Sequence, residues 1–374
     1  RTWPPPPALP DRMGLFSKRP KAPSSSAEDD ADSPAARLRN LGYTATAAEV
    51  KHPKKKEDRH ALLSFETEIT RELCTIALIA DGHNGPQASD LAERYLLPAI
   101  AGRLRRAAAE DIHAACTEAF ADLHRKCLAE NPLSGSTITC VVVNTTRREV
   151  SCANVGDSSA LLVPNLARMG EPPVELSRSH RMMENDEEMA RVRALPGVEI
   201  RQGVNGLGQP FGDLRAWPGG LAVVRGVGDG DCGEVVSCVP SCKTVPLPPM
   251  GGSIVLASDG VWDGVSYSAA AALLRRESQK KRKSGPRAAT AKQVVDLALN
   301  RASCGGRRDA PRGHLRYHRG AARPHLHPVP PLLHSQAGMM DDISAIVLFC
   351  PALREFEATG PGTPKIEVAS LTRP

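Results

Sequence analysis

Residues 75–85 read TIALIADGHNG, an apolar run that ends in an aspartate, a histidine and two glycines. Six apolar or β-branched residues that stop at turn residues are typical of a buried β-strand. The same pattern returns further along the chain, at residues 137–143, 149–155, 160–163, 253–258 and 343–349. The first two of these runs flank a short polar turn, so they are predicted to form a β-hairpin.

Helical patterns lie between the predicted strands. Apolar residues recur at spacings of three and four in one segment, which predicts an amphipathic helix through Ile112, Cys116, Phe120, Leu123 and Cys127. Another helix is predicted just before it, and Pro98 is expected to end or kink that helix. A last helix is predicted near residues 291–302. The body of the chain is therefore expected to mix strands and helices.

Aspartates stand where four of these strands meet a loop: Asp81, Asp157, Asp259 and Asp341. Such residues can simply form turns, because aspartate side chains hydrogen-bond their own backbone. If the strands end at one edge of a sandwich, however, the carboxylates converge, and they repel one another unless cations lie between them. Clustered hard oxygen ligands suit Mg²⁺ or Mn²⁺ better than zinc. Both interpretations remain open on these residues alone.

Length and composition exclude several classes of protein. With 374 residues, 41% of them hydrophobic, the chain can bury a sizeable core and is not disordered throughout. No apolar stretch approaches ~18 residues, so no membrane span is expected. The net charge of +6 comes from two basic segments, residues 275–287 and 301–338, each of which carries +6. The remainder is acidic and poor in aromatic residues, which argues against nucleic-acid binding.

The two ends of the chain are predicted to lie outside the folded body. Residues 1–36 are expected to form a disordered tail, because they are rich in proline, serine and acidic residues, and residues 351–374 are expected to form a C-terminal tail. The ten cysteines are scattered without a CxxC pair and no secretory segment is recognised, so the expected location is the cytoplasm, the nucleus or both. If Met13 is the true start, Gly14 is a weak candidate for a lipid anchor.

Five segments, in order, resemble the motifs of the 2C-type metal-dependent serine/threonine protein phosphatases. They are DGHNG at 81–85, ANVGDSS at 153–159, LAVVRGVGD at 221–229, ASDGVWDGVS at 257–266 and MDDISAIVL at 340–348. Order and approximate spacing agree from about residue 40 to 350, and WPGG at 217–220 is most like the plant members. The resemblance implies an α+β fold, a sandwich of two antiparallel β-sheets flanked by helix pairs, as one phosphatase domain over residues 37–350.

The resemblance also implies a catalytic centre with two Mg²⁺ or Mn²⁺ ions. In it, Asp81 would bridge both ions and the Gly82 carbonyl would bind one, while Asp259 and Asp341 would complete the inner ligands. A hydroxide that bridges the metals would attack the phosphate monoester directly. His83 would be the general acid that protonates the leaving serine or threonine oxygen, which suits an imidazole whose ordinary pKa is near ~6.5.

Further acidic residues match outer positions of the same centre. Glu57 and Asp58 match the acidic pair of the family and would hold the metals directly or through water. Asp157 and Asp263 match the positions of a weaker third metal. The acidic residues of the five motifs are thus implied to serve one site except Asp229 and Asp342, to which no role is assigned.

The chain departs from the family where substrate phosphate is expected to bind. The family usually has an arginine four residues before the acidic pair, and Pro53 stands there in this chain. Lys54, Lys55 and Lys56 lie beside it, and lysine binds phosphate as a point charge rather than as a bidentate fork. The hypothesis is that these lysines replace the arginine, with weaker or differently selective binding.

A low-complexity insert at about residues 303–338 is a second departure. It is rich in arginine, proline and glycine and holds five histidines, which indicate a flexible loop or retained intron sequence rather than a metal site. Lys280 to Lys283 resemble a nuclear-localisation patch, and a solvated helix end explains them equally well.

Two functions remain in competition. The first is a protein phosphatase that acts as a monomer on phosphoserine and phosphothreonine. The second is a catalytically silent relative that binds phosphoproteins or kinases. Retention of the implied ligands favours the enzyme, whereas the missing arginine and the insert favour the silent relative.

Overall fold

The computed structural model describes residues 32–52, 54–106, 111–165, 172–279, 281–282, 285–286, 290–303 and 341–352. The strands are β1 (Thr44–Val50), β2 (Arg59–Glu66), β3 (Leu73–His83), β4 (Gly135–Asn144), β5 (Glu149–Val155), β6 (Ser159–Pro164), β7 (Val174–Glu175), β8 (Glu199–Val204), β9 (Pro210–Trp217), β10 (Val227–Gly228), β11 (Ser241–Pro246), β12 (Gly252–Ala257), β13 (Lys281–Arg282), β14 (Gly285–Pro286) and β15 (Ile343–Cys350). The helices are α1 (Pro34–Asn40), α2 (Gln87–Arg106), α3 (Ile112–Glu130), α4 (Asp186–Arg193), α5 (Asp259–Trp262), α6 (Tyr267–Ser278) and α7 (Ala291–Ser303).

Most of the strands form two antiparallel sheets. The first sheet has the order β1-β15-β12-β6-β7, and the second has the order β11-β5-β4-β3-β2, with β10 paired to β4. Helices α2 and α3 cover the outer face of the second sheet, while α6 and α7 cover the outer face of the first. The two inner faces pack against each other. This arrangement confirms the predicted sandwich of two antiparallel sheets with flanking helix pairs.

Strand β3 shows why apolar residues in the sandwich strands do not alternate with polar ones. Successive side chains of a strand point to opposite faces. Ile76 and Leu78 pack against α2 and α3, whereas Ala77 and Ile79 pack between the sheets, and all four are fully buried. Both faces of this strand are therefore core, and β3 runs three residues beyond the apolar stretch to place the DGH sequence at the sheet edge.

A smaller hairpin lies apart from the sandwich. Strands β8 and β9 pair with each other and carry mostly exposed side chains, and the tip of the hairpin exposes Leu207 and Phe211. The base of the hairpin packs through Ala216 onto a separate apolar cluster that includes Met182 and Val224. The hairpin is thereby anchored beside the edge where β3 ends.

Two details of the sequence-based prediction change. Helix α2 runs through Pro98 to Arg106 and does not end there, because the flanking Leu97 and Ile100 are buried and their packing outweighs the local preference. Helix α1 begins at Pro34, inside the segment expected to be a tail. The rest of that tail, the insert from residue 304 onward and residues 353–374 lie outside the described residues, as do Met13 and Gly14. No helix of the described residues is long and apolar enough to cross a membrane.

Candidate functional site

Five aspartates from five loops face one another at one edge of the sandwich. Asp81 lies near the end of β3 and Asp157 in the turn between β5 and β6, while Asp259 begins α5. Asp58 directly precedes β2, and Asp341 lies two residues before β15. Burial raises the pKa of Asp81 well above its usual range, and the charges of the other four aspartates raise it further. The carboxylates at the strand ends therefore lie close enough to repel one another.

Two of these aspartates have a pKa near neutrality. Burial raises the pKa of Asp58 to about 7, and the charge of Asp342 adds to this effect while the nearby Ser344 hydroxyl opposes it. Burial, followed by the charges of Asp157 and Asp263, raises the pKa of Asp259 to about 7. Two like charges 4 Å apart repel by about 4 kcal/mol at an effective dielectric constant of 20, which indicates the scale of the effect. An acidic cluster of this kind is stabilised by any cation that enters it.

Glycines allow the loops of the site to approach closely. A Cβ atom at position 82 would lie 2.7 Å from the carbonyl oxygen of Glu57 and 2.8 Å from the hydroxyl of Ser89. A Cβ at position 260 would lie 2.1 Å from the carbonyl oxygen of Asp342. Because neither position has room for a side chain, Gly82 and Gly260 bring the loops that follow β3 and β12 against the segments that carry the other acids.

Glu57 lies at the rim of this cluster and is already tied to the loop after β3. Its Oε1 atom accepts a hydrogen bond of 2.7 Å from the amide of Gly85, and its carbonyl oxygen accepts one of 2.5 Å from the Ser89 hydroxyl. These bonds fix the Glu57 backbone and one carboxylate oxygen beside Gly82.

Asp342 holds the segment that carries the Glu57–Asp58 pair, a role that the sequence analysis missed. Its Oδ1 accepts from the amide of His52 at 2.5 Å, and its Oδ2 accepts from the amides of Glu57 at 2.6 Å and Asp58 at 3.0 Å. The residue is 2% exposed. Of the adjacent acids in the MDDIS motif, Asp341 faces the cluster and Asp342 positions the neighbouring loop.

His83 is hydrogen-bonded to an aspartate that the sequence analysis left without a role. Its Nε2 lies 2.6 Å from Oδ1 of Asp229, which is 2% exposed, whereas the His83 side chain is 34% exposed. Burial disfavours the protonated imidazole, but the hydrogen bond and charge of Asp229 outweigh this effect and raise the pKa of His83. The motif match at residues 221–229 was the available signal, because it ends on Asp229. A buried acid thus orients a partly exposed histidine and favours its protonated form.

Two basic side chains enter the acidic cluster. Nζ of Lys55 lies 2.5 Å from Oδ2 of Asp341, and Nε of Arg181 lies 2.5 Å from Oδ2 of Asp157. Burial disfavours both cations, but the surrounding carboxylates outweigh it and raise the pKa of each. With these ion pairs in place, no group of three or more His, Cys, Asp or Glu side chains among the described residues is arranged to hold a metal ion. Lys55 and Arg181 thus neutralise part of the negative charge of the acidic cluster.

The three lysines beside the acidic pair are not equivalent. Only Lys55 is turned into the cluster, where it also feels the charges of Asp81 and Asp259. All three lysines are exposed, and Lys54 and Lys56 form hydrogen bonds through their backbone atoms. Pro53 lies outside the described residues. Lys55 is therefore the one of the three lysines whose ammonium lies at the acidic cluster.

The raised carboxyl pKa values predict how stability changes with pH. A carboxyl with a folded-state pKa near 7 holds a proton that the unfolded chain releases near pH 4, so the free energy of unfolding falls as pH rises between these values. In metal-free protein, Asp259→Asn should remove the part of this fall in the free energy of unfolding that comes from Asp259. We therefore expect its melting temperature to exceed that of the wild type by more at pH 7.5 than at pH 5, in calorimetry with EDTA. A difference that is constant with pH would contradict the repulsion.

A sequence profile described as Protein phosphatase 2C matches residues 48–305, which is more than half of the chain. The match includes the segments with Asp58, Asp81, Asp157 and Asp259. It ends before β15, so Asp341 lies beyond the matched residues and its place in the site depends on the pairing of β15 between β1 and β12.

Curated plant proteins are similar over part of the chain. A "Probable protein phosphatase 2C 15" of Arabidopsis thaliana is 34% identical over 232 residues, which are 61% of this chain and 50% of that protein. A "Probable protein phosphatase 2C 33" of Oryza sativa subsp. japonica is 35% identical over 210 residues, which are 54% of this chain and 46% of that protein. The chain spans about half the length of the curated relatives it matches.

Solved structures share the fold at low sequence identity. A Caenorhabditis elegans sex determining protein superposes with a TM-score of 0.60 at 18% identity, covering 84% of this chain and 67% of that chain. A serine-threonine phosphatase 2C from Toxoplasma gondii superposes with a TM-score of 0.52 at 16% identity, covering 82% of this chain and 99% of that chain. These likenesses support the architecture of the sandwich.

Proposed function

Because the chain belongs to the protein phosphatase 2C family, we propose that it hydrolyses phosphoserine and phosphothreonine esters in proteins with Mg²⁺ or Mn²⁺. The observation that carries this proposal is the cluster of buried carboxylates at one sandwich edge, with His83 and its partner Asp229 at the rim. Membership of the family supports phosphate ester hydrolysis as the reaction. The cluster contains the carboxylates that would bind the divalent ions of that reaction.

The donor set fits hard divalent cations. All side-chain donors are carboxylates, which Mg²⁺ and Mn²⁺ prefer. Moreover, Oδ2 of Asp58, in a residue 1% exposed, has no hydrogen-bond partner among the described residues. An acid with an unsatisfied buried oxygen and a pKa near 7 is destabilised until a cation is near. The cluster is therefore better suited to cations than to water.

The proposed ligands fall into three sets. The carboxylates of Asp81, Asp259 and Asp341 and the carbonyl of Gly82 would hold two ions, and Glu57 and Asp58 would support them directly or through water. Asp157 and Asp263 would serve a weaker third ion. Bound divalent ions would supply positive charge for the phosphoryl oxygens and an activated water near neutral pH.

The chain's own residues would complete the reaction. Lys55 is turned toward the acids, so its ammonium can bind a phosphate oxygen when substrate enters. His83 is partly exposed, and its Nε2 is hydrogen-bonded to Asp229, which raises its pKa and favours the protonated imidazole, so its Nδ1 can donate a proton to the leaving oxygen as the P–O bond breaks. Asp342 keeps the Glu57–Asp58 segment in register with the site.

The test is phosphate release from a phosphothreonine peptide, with Mn²⁺ or Mg²⁺ and again with EDTA. We expect turnover that requires the divalent ion and disappears on chelation, and Asp259→Asn should be inactive at the same ion concentration. Well-folded protein that binds phosphopeptide without releasing phosphate would contradict the proposal and favour the silent relative.

The proposed function makes a specific prediction for the kinetic effect of replacing Lys55. Lys55→Ala should raise KM for the phosphopeptide by about tenfold with little change in kcat, because one charge-assisted contact to phosphate contributes roughly 1.5 kcal/mol. Lys54→Ala is the matched control, since the same charge is removed from an exposed neighbour. Steady-state kinetics at saturating Mn²⁺ make the comparison. Equal KM values for the two variants would exclude the assignment of Lys55.

A further inference from the structure

Arg181 makes contacts that connect three acids. Its Nε lies 2.5 Å from Oδ2 of Asp157, its Nη2 3.0 Å from Oδ2 of Asp259, and its Nη1 3.5 Å from Oδ2 of Asp213. The side chains of Asp157 and Asp259 are 4% and 18% exposed, and that of Arg181 is 23% exposed. Asp263 is close enough that its charge raises the pKa of Asp259. The guanidinium therefore lies between Asp157 and Asp259, and the charge of Asp263, the other acid proposed for the third ion, also acts on it.

The backbone around Arg181 fixes this position. Arg181 forms an isolated antiparallel bridge with Val223, and the next amide, that of Met182, donates to the carbonyl oxygen of Ala222 at 3.0 Å. The preceding amide, that of His180, donates to the carbonyl oxygen of Gly156 at 3.0 Å, beside Asp157. The arginine is thus anchored next to the turn that carries its first carboxylate partner.

The contact with Asp213 extends the arrangement to the β8–β9 hairpin. Asp213 lies on β9, and its side chain is 54% exposed. The same guanidinium thereby joins a hairpin with an exposed apolar tip to two buried acids of the catalytic cluster. Guanidinium groups suit such a junction, because their donors reach several carboxylates in one plane.

We propose that the guanidinium of Arg181 is a built-in cation at the third-ion position, which a third divalent ion must displace, and that its displacement releases the β8–β9 hairpin. The inference rests on the proposed metal-dependent function. It implies that the wild-type chain works with two ions at ordinary concentrations, and that hairpin mobility increases when a third ion enters.

The test is isothermal titration of the full chain with Mn²⁺. Wild type should bind two ions, whereas Arg181→Met should bind a third ion at least about tenfold more tightly than wild type does, because a positive charge has been removed from between two acids. Arg181→Lys keeps a cation and should remain closer to wild type. Arg178→Met removes the same charge from an exposed arginine of the same loop and should match wild type.

A second measurement does not depend on any variant. Hydrogen exchange of residues 199–217 in wild type should become faster when Mn²⁺ is raised from two-ion saturation to concentrations that fill a third position. If Arg181→Met binds the third ion no more tightly than wild type does, or if hydrogen exchange of the hairpin in wild type does not change, the inference is overturned but the proposed function is not. Wild-type protein that binds no Mn²⁺ would instead overturn the proposed function, and the inference with it.

Discussion

Asp81→Asn is expected to lower kcat for a phosphothreonine peptide by at least ~10³-fold, the largest effect of any single substitution in the cluster. Asp81 is the aspartate whose pKa responds to the charges of all four others, so it lies at the centre of the site. Cation stabilisation of the transition state is worth several kcal/mol, and each ~1.4 kcal/mol corresponds to a factor of ten in rate. The measurement is phosphate release at saturating Mn²⁺.

The loss of activity must be separated from loss of folding. Without metal at pH 7.5, the variant should melt at a higher temperature than the wild type, because one repelling carboxylate has been removed from a buried cluster. Mn²⁺ should raise the melting temperature of the wild type by several degrees, since an ion at 100 times its Kd contributes about 2.7 kcal/mol. It should raise that of the variant much less.

A different result would remove Asp81 from its assigned role. If Asp81→Asn keeps both its activity and its stabilisation by Mn²⁺, then the acidic cluster does not bind the catalytic ions. If the variant is inactive but Mn²⁺ stabilises it as strongly as the wild type, Asp81 acts in the reaction without being a principal ligand.

The sandwich could be predicted from the sequence because its strands are buried on both faces. Runs such as residues 75–80 and 343–349 are almost wholly apolar and are bounded by turn residues, a pattern that indicates strands with both faces buried. The hairpin of β8 and β9 could not be predicted in this way. Its strands are mostly exposed and rich in glycine and polar residues, so no apolar pattern marks them.

The candidate ligands could be predicted as residues, but their partners could not. In the sequence, Asp342 and Asp229 cannot be distinguished from the aspartates proposed as ligands. Only the three-dimensional contacts show that Asp342 accepts hydrogen bonds from backbone amides and that Asp229 is hydrogen-bonded to a histidine. Arg181 lies far in sequence from Asp157 and Asp259, so nothing in the local pattern indicates that it enters their cluster. Motifs identify the acids, and the fold determines their counter-charges.

Asp229→Asn is expected to lower kcat for a phosphothreonine peptide by roughly 10²-fold, because general acid catalysis contributes about 10²–10⁴ and Asp229 orients His83 and raises its pKa. The substitution preserves shape. Asp229 adopts a left-handed backbone with φ of 52°, which asparagine tolerates better than most residues, and its carboxylate lies close to Gly135.

The choice of substrate separates a role in proton donation from a general structural effect. p-Nitrophenolate leaves as a stabilised anion and does not need a proton, so Asp229→Asn should change kcat for p-nitrophenyl phosphate only a few-fold. His83→Ala should show the same substrate dependence. Asp231→Asn removes the same charge from an exposed neighbour and should leave both substrates unaffected.

The pH profile provides the second readout for Asp229. In the wild type, the raised pKa of His83 keeps the imidazole protonated to higher pH, so activity on the peptide should persist above the ordinary pKa of histidine. Without the charge of Asp229 that pKa falls, and the alkaline limb of kcat should move to lower pH in the variant. Equal losses on both substrates, with the limb unmoved, would show that Asp229 supports the fold of the loop rather than the acid function of His83.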